Sequence, residues 1–311
     1  MYYKEFKGNK ISTLGLGSLR LPAVPGDPNK IDREKARKVI DQAFASGINY
    51  FDAAYTYHKG DSERFLGEAL ARYPRDSYYL ASKFYVIANP DIEEVFEEQL
   101  RRCQTDYFDF YLIHSVQEHF MDQYMDPARD YIGYLLKQKA AGRIRYLGFS
   151  SHMAPEGLAR FLDWYPDFDM ALIQLNYLDW TLLDGKGQYD LLTKRGIPVW
   201  VMEPLKGGRL VHLNDQAEAI LNQAAPGQTI PSWSFRYLLG LPNVQCVLSG
   251  MTSPEEIRQN AAVFEPENQL TEAEIAALDK AILAFRDSFG VPCSSAATAA
   301  RSARPNWTFP F

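Results

Sequence analysis

The stretch ASGINYFDAAYTYHKGDSE, residues 45–63, contains one complete joint of the chain. Gly47 ends a helix-like segment, the apolar run INYFDAA (48–54) follows, and Tyr57 then sits in a polar loop containing Gly60. Upstream, DREKARKVIDQAFASG (32–47) places Val39, Ile40, Ala43 and Phe44 on one face, the spacing of an amphipathic helix.

The same joint recurs. Eight β-rich runs alternate with helix-like segments: STLGLG (12–17), INYFDAA (48–54), YYLASKF (78–84), FDFYLIHS (108–115), IRYLGFSS (144–151), ALIQLNY (171–177), IPVWVME (197–203) and VQCVLSG (244–250). DIEEVFEEQLRRC (91–103) opens acidic and closes on arginines, as a helix dipole favours. SPEEIRQNAAVF (253–264) begins with a serine cap, a first-turn proline and a glutamate at the third position. Strands alternating with helices predict a parallel sheet, and several runs are apolar on both faces, as a helix-covered sheet requires. Eight such units fit an α/β fold closed into a (β/α)8 barrel, which typically takes about 250 residues before insertions. An N-terminal β-hairpin, YYKEFKGNKIS, is expected to turn at Gly8-Asn9. A doubly wound open sheet competes, but no run is followed by the G-x-G-x-x-G turn of its dinucleotide-binding version.

The 311 residues are 46% hydrophobic and 23% charged, values of an ordinary globular chain. A net charge of −6 argues against a nucleic-acid or anionic-membrane surface. The opening MYYKEFKGNK has no apolar stretch behind its charges and does not read as a signal peptide. No window approaches the roughly 18 uninterrupted apolar residues of a membrane span. Cys103, Cys246 and Cys293 have no metal-ligand spacing and suit a reduced, cytoplasmic protein, with no metal site expected. Nothing in the sequence sets an oligomeric state.

In a barrel, the C-terminal ends of the strands share one face, where chemistry gathers. Those ends carry Asp52, Lys83, His114, Ser150, Gln174 and Asn176, with Tyr57 in the loop after the second run. A phenol, an ammonium, a carboxylate and an imidazole make an acid–base device. Lys83 is expected to lower the Tyr57 pKa, Asp52 to keep Lys83 charged, and His114 to orient a carbonyl. The set has no nucleophile paired with a base, so electrons must come from elsewhere. Each residue also has an ordinary reading: a loop tyrosine, a lysine closing a strand, a capping aspartate, a structural histidine. Their joint occurrence at successive strand ends is what favours the functional one.

FDAAYTY, ASKF, QTDYFDFYLIHS, GFSSH, IQLNY, VMEPLKGG and LSGMTSPEEIRQN, in this order and spacing, resemble the aldo-keto reductases over about residues 3–287. The resemblance implies a (β/α)8 barrel, NADPH or NADH as hydride source, and reduction of a small-molecule aldehyde or ketone to an alcohol. It implies that Asp52, Tyr57, Lys83 and His114 are catalytic. It assigns the nicotinamide carboxamide to Ser150, Ser151 and Gln174, the ring face to Met202, and the pyrophosphate and adenosine to Leu205, Gly207, Gly208, Ser249, Gly250, Thr252, Ser253, Gln259 and Asn260. The chain departs from the family at Ser151, often asparagine, and at Met202, often a stacking tyrosine; methionine also packs on aromatic faces. Glu255 and Glu256 stand where members preferring the 2′-phosphorylated cofactor often have arginine. A capping box and a device repelling the 2′-phosphate are both open readings of these glutamates.

Two other classes share these residues. One is a barrel aldolase or isomerase with Lys83 forming a Schiff base; the other is a cofactor-binding, redox-sensing subunit. The barrel is assigned to 1–290 and an irregular tail to 291–311. That tail, VPCSSAATAARSARPNWTFPF, is rich in Ala, Arg and Ser without a period. Read one base out of phase from the end of the Ser295 codon, it can spell Cys-Arg-Tyr-Cys and then Cys-Pro. Together with Cys293, this makes a ferredoxin-like ligand run for a [4Fe–4S] cluster. A bacterial branch of the aldo-keto reductases that resembles this chain ends in such a module. The tail is therefore read as a frameshifted one; as written, its residues do not support a cluster.

Overall fold

The computed structural model describes residues 1–287. Strands β1 (Tyr3–Phe6) and β2 (Asn9–Ser12) form the expected antiparallel hairpin, with Phe6 opposite Asn9. The turn falls at Lys7 and Gly8, not at Gly8-Asn9, and both residues have positive φ, 48° and 80°. Two successive left-handed residues make a type I′ turn, whose twist matches the flanking strands. Asn9 is held in the ladder instead, and its side chain donates to the Tyr146 hydroxyl at 2.6 Å.

The barrel begins with β3 (Leu14–Gly17). A small antiparallel pair, β4 (Ala23–Val24) and β5 (Asp27–Ile31), lies outside it. The barrel continues with β6 (Tyr50–Asp52), β7 (Tyr79–Phe84), β8 (Phe108–Val116) and β9 (Ile144–Ser151). It closes through β10 (Met170–Gln174), β11 (Val199–Met202) and β12 (Val244–Ser249), which pairs back onto β3. All barrel pairings are parallel. The expected helices sit between strands, the serine cap expected at Ser253 is formed, and two aspartates cap other helices. Asp32 accepts from the Lys35 N–H, Asp91 from Glu94 and Ser253 from Glu256, each satisfying an otherwise orphaned first-turn donor.

Alternation along the strands sorts residues into layers. Tyr50, Ala81, Phe110, Leu112, Met170, Leu172, Trp200 and Cys246 fill the barrel interior. The hairpin closes one end, where the Phe6 ring lies 5.1 Å from Trp200 and 4.9 Å from Tyr146, centroid to centroid. Chemistry is thereby confined to the other end, at the strand C-termini. Among the described residues, no helix is long and apolar enough to cross a membrane, and no group of three or more His, Cys, Asp or Glu could hold a metal. The boundary at 290 and the reading of the tail fall outside the described residues.

Candidate active site

Four polar side chains meet at the open end. Asp52 ends β6, and its backbone carbonyl accepts from the Ser18 hydroxyl at 2.7 Å. Lys83 follows Ala81 on the inward face of β7 and is completely buried. Its ammonium donates to Asp52 Oδ1 at 2.5 Å, the Ala53 carbonyl at 2.6 Å and the Tyr57 hydroxyl at 3.4 Å. An ammonium has three protons, and each has a partner. His114, on the inward face of β8 after Phe110 and Leu112, stands edge-on to Tyr57 with ring centroids 5.8 Å apart. Its Nδ1 is buried without a partner. Every member of the tetrad expected from the strand ends is therefore brought to one place.

The electrostatics differ from expectation in one respect. Burial raises the Tyr57 pKa above its ordinary value, and the pull of Lys83 only offsets part of that rise. The expected lowering fails because the sequence shows which charge is near the phenol but not how much water it loses. Burial works against the Lys83 cation, but attraction to Asp52 and Tyr57 outweighs it and leaves the pKa raised. Burial raises the Asp52 carboxyl despite Lys83. Burial, with Lys83 adding to it, holds the His114 imidazole well below its ordinary value, so the ring is neutral. A lysine fixed as a cation by three acceptors is a poor Schiff-base nucleophile, which speaks against the aldolase reading.

A second arc of the mouth is built from β9 to β12. Ser150 Oγ accepts the Ser115 N–H at 2.7 Å, and Ser151 Oγ accepts the Met153 N–H at 3.1 Å. Gln174 donates its amide to Asp179 Oδ2 at 2.8 Å and is in register with Met202 on β11. Leu205 is half-buried, while Gly207 and Gly208 are exposed, with no atom within 4 Å of where a Cβ would stand. Ser249 ends β12 buried, and Gly250 lies against the Arg20 side chain. Glu256 reaches back to accept from the Thr252 N–H at 2.7 Å and the Thr252 hydroxyl at 3.1 Å. Glu255 pairs with Arg258 and accepts from Gln259 at 2.9 Å. Asn260 is half-buried on the same short helix, Pro254–Ala261. Two surface cavities lie elsewhere, one lined by the hairpin and Glu265, the other by Met125, Trp164 and their neighbours. The tetrad lines neither of them.

The sequence profile of the aldo/keto reductase family matches residues 13–283. The chain belongs to that family. It is accordingly an oxidoreductase that reduces a carbonyl with a nicotinamide cofactor. It is 26% identical to the uncharacterized oxidoreductase YqkF of Bacillus subtilis, across 86% of this chain and 92% of that protein. It is also 26% identical to the NADH-specific methylglyoxal reductase of Escherichia coli, across 82% and 90% of the two chains. Among solved structures, the holo form of the aldo-keto reductase AKR11C1 from Bacillus halodurans superposes with a TM-score of 0.74 at 26% identity, covering 90% of this chain and 96% of that one.

This aldo/keto reductase has a buried hub that sequence reading missed. Asp179 is fully buried and accepts from Gln174, from Asn176 at 2.8 Å and from the Lys206 ammonium at 2.5 Å. It ties the ends of β10 and β11 together, and with them the loop of Leu205, Gly207 and Gly208. The available signal was an acidic residue five positions after Gln174, in QLNYLD, which equally suits a helix start. Asp179→Ala leaves the Lys206 cation and two amides without their acceptor. A loss of about 3 kcal/mol is expected, as for breaking a buried ion pair from one side. Urea denaturation measures it, and an unchanged midpoint with an unchanged slope would count against the hub.

Proposed function

We propose that this aldo/keto reductase reduces a small aldehyde or ketone to the alcohol, with Tyr57 as proton donor and NADPH or NADH as hydride source. One observation carries the reading: the Tyr57 hydroxyl lies 3.4 Å from an ammonium that Asp52 and the Ala53 carbonyl hold charged. A bound nicotinamide dinucleotide supplies the hydride to the carbonyl carbon. As charge develops on the carbonyl oxygen, Tyr57 gives it a proton. Lys83 stabilises the phenolate left behind, and water returns the proton afterwards. Neutral His114 can donate an N–H to the same oxygen and orient it without competing as an acid.

The second arc suits a primary carboxamide. Both serine oxygens already accept a backbone N–H, so their hydroxyl protons are free for an amide oxygen. Gln174 uses its amide nitrogen on Asp179, and its oxygen, which also accepts from His152, keeps a second lone pair for an amide N–H. Met202, beside Gln174 in register, supplies a polarizable face for the ring. The open backbone at Gly207 and Gly208 would let a pyrophosphate approach closely, and half-buried Leu205 would help hold it. Ser249, Gly250, Thr252, Ser253, Gln259 and Asn260 border the adenosine end. Buried, unpaired Cys103 and Cys246 are consistent with a reducing cytoplasm.

Glu256 occupies the Thr252 donors that a 2′-phosphate would use, which favours the unphosphorylated cofactor. The NADH-specific name of the Escherichia coli relative points the same way. Glu256→Arg is expected to shift relative binding toward NADPH by about 1.5–3 kcal/mol, the worth of a hydrogen bond to a charged group. Titration with both reduced cofactors tests this, and an unchanged ratio would leave Glu256 a cap and nothing more.

The pKa directions fix the pH dependence of turnover. Reduction needs the protonated phenol, and a Tyr57 pKa raised above 10.0 keeps it protonated well into the alkaline range. His114, lowered well below 6.5, stays neutral on the acid side. The rate of reduction at saturation is therefore expected to be flat between about pH 6.5 and pH 9, inside the ordinary His and Tyr values. A limb within that window that disappears in His114→Gln would contradict the neutral imidazole.

A further inference from the structure

We infer that Arg102 is a positioning residue for the proton donor, clamping the Tyr57 loop on both sides; this rests on the assignment of Tyr57 above. Arg102 lies near the end of the helix Ile92–Cys103, its side chain only 11% exposed. On the near side of Tyr57, its Nη1 donates to the Tyr55 carbonyl at 3.2 Å, and its guanidinium lies 4.5 Å from the centroid of the Tyr55 ring. On the far side it fills the space at Gly60, where an added Cβ would stand 2.6 Å from Nη1.

Between these two holds the backbone takes three successive positive φ angles: 50° at His58, 52° at Lys59 and 86° at Gly60. Two of these are not glycine, and such a conformation persists only where its surroundings determine it. Arg102 supplies part of that surrounding, packed against Gly60 at the end of the run. A completely buried carboxylate holds Arg102 in turn, Glu63 accepting from its Nη1 at 3.0 Å. Glu63 also accepts from Ser82 at 2.6 Å and from Gln99 at 2.6 Å. Gln99 then donates to the Lys83 carbonyl at 3.1 Å. One buried network therefore reaches the backbone behind both partners of the 3.4 Å contact between Tyr57 and Lys83. It touches neither the tetrad's reacting atoms nor the arc from β9 to β12.

The test is Arg102→Lys and Arg102→Ala, with both substrates varied and rates compared in H2O and D2O. A donor displaced by about an ångström is expected to cost roughly 30- to 100-fold in kcat. The KM for the reduced cofactor should stay within about twofold, because the clamp does not reach the second arc. The solvent isotope effect on kcat should rise, because proton transfer then lags. Added guanidinium should restore part of the Arg102→Ala rate. If the alanine variant does not fold, the lysine variant carries the measurement: it keeps the charge but not the planar fork that reaches Tyr55 and Glu63 through Nη1 and Glu98 through Nη2. A kcat near the wild-type value overturns the clamp. So does a loss shared with cofactor KM at an unchanged solvent isotope effect, which marks general loosening. Tyr57→Phe run alongside separates the two levels: if it is inactive while the Arg102 variants are normal, only the clamp falls. If it is active, the Tyr57 assignment falls and the clamp with it.

Discussion

Tyr57→Phe is expected to lower kcat for a good aldehyde by about 10²–10⁴-fold, the usual contribution of a general acid. Affinity for the reduced cofactor should barely change. The substitution removes one oxygen, leaves the ring against His114, and keeps the Lys83 contacts to Asp52 and Ala53. The phenol is not among the groups offered to the dinucleotide, so the loss belongs in turnover. Steady-state kinetics with a fluorescence titration of the cofactor measures both quantities. A variant retaining more than a tenth of the wild-type rate would remove Tyr57 from the role.

Lys83→Met should be still more damaging, because it strikes chemistry and stability together. The phenolate loses its cation, and Asp52 loses the partner that makes its burial tolerable. Breaking a buried pair from one side typically costs about 3–5 kcal/mol. The Lys83–Asp52 pair is buried on both sides, with side chains 0% and 4% exposed. The deficit should depend on pH with a definite sign. Burial already raises the Asp52 pKa, and without Lys83 it rises further. A carboxyl raised in the folded state destabilises most above that folded pKa, where the unfolded chain would hold it ionised. The gap between wild type and variant should therefore narrow as pH falls toward the ordinary carboxylate value. Urea denaturation across the acid range tests this; a deficit independent of pH would mean Asp52 is not the group left stranded.

Much of the barrel was legible because its signals are local. Apolar runs, the amphipathic face through Val39 and Ala43, and the cap at Ser253 each report their own neighbourhood. The tetrad was legible because Asp52, Lys83 and His114 interrupt apolar strands, where a lone polar group is conspicuous. Glu63, Arg102 and Asp179 were not. Charged residues on helices ordinarily face water, and what buries Glu63 comes from Gln99 and Arg102, 36 and 39 positions along the chain. The Tyr57 pKa was misread for a related reason: a neighbouring charge can be inferred from order, but desolvation is set by everything that packs around the group. Glu256 was readable in two ways; its contact with Thr252 shows the capping one, and under the proposed function the same contact occupies donors a phosphate would use. The turn at Lys7 and Gly8 was missed by one residue, because the sequence offers a glycine but not the ladder that fixes its place.

The decisive measurement is a single turnover with reduced nicotinamide cofactor carrying deuterium at the transferable position and a simple aldehyde, for wild type and Tyr57→Phe. Expected is an alcohol with deuterium on the carbinol carbon from the wild-type protein, and almost none from the variant in the same time, with both proteins binding the cofactor. Alcohol formed without the label, or label transferred equally fast by both proteins, would contradict hydride reduction with Tyr57 as the acid.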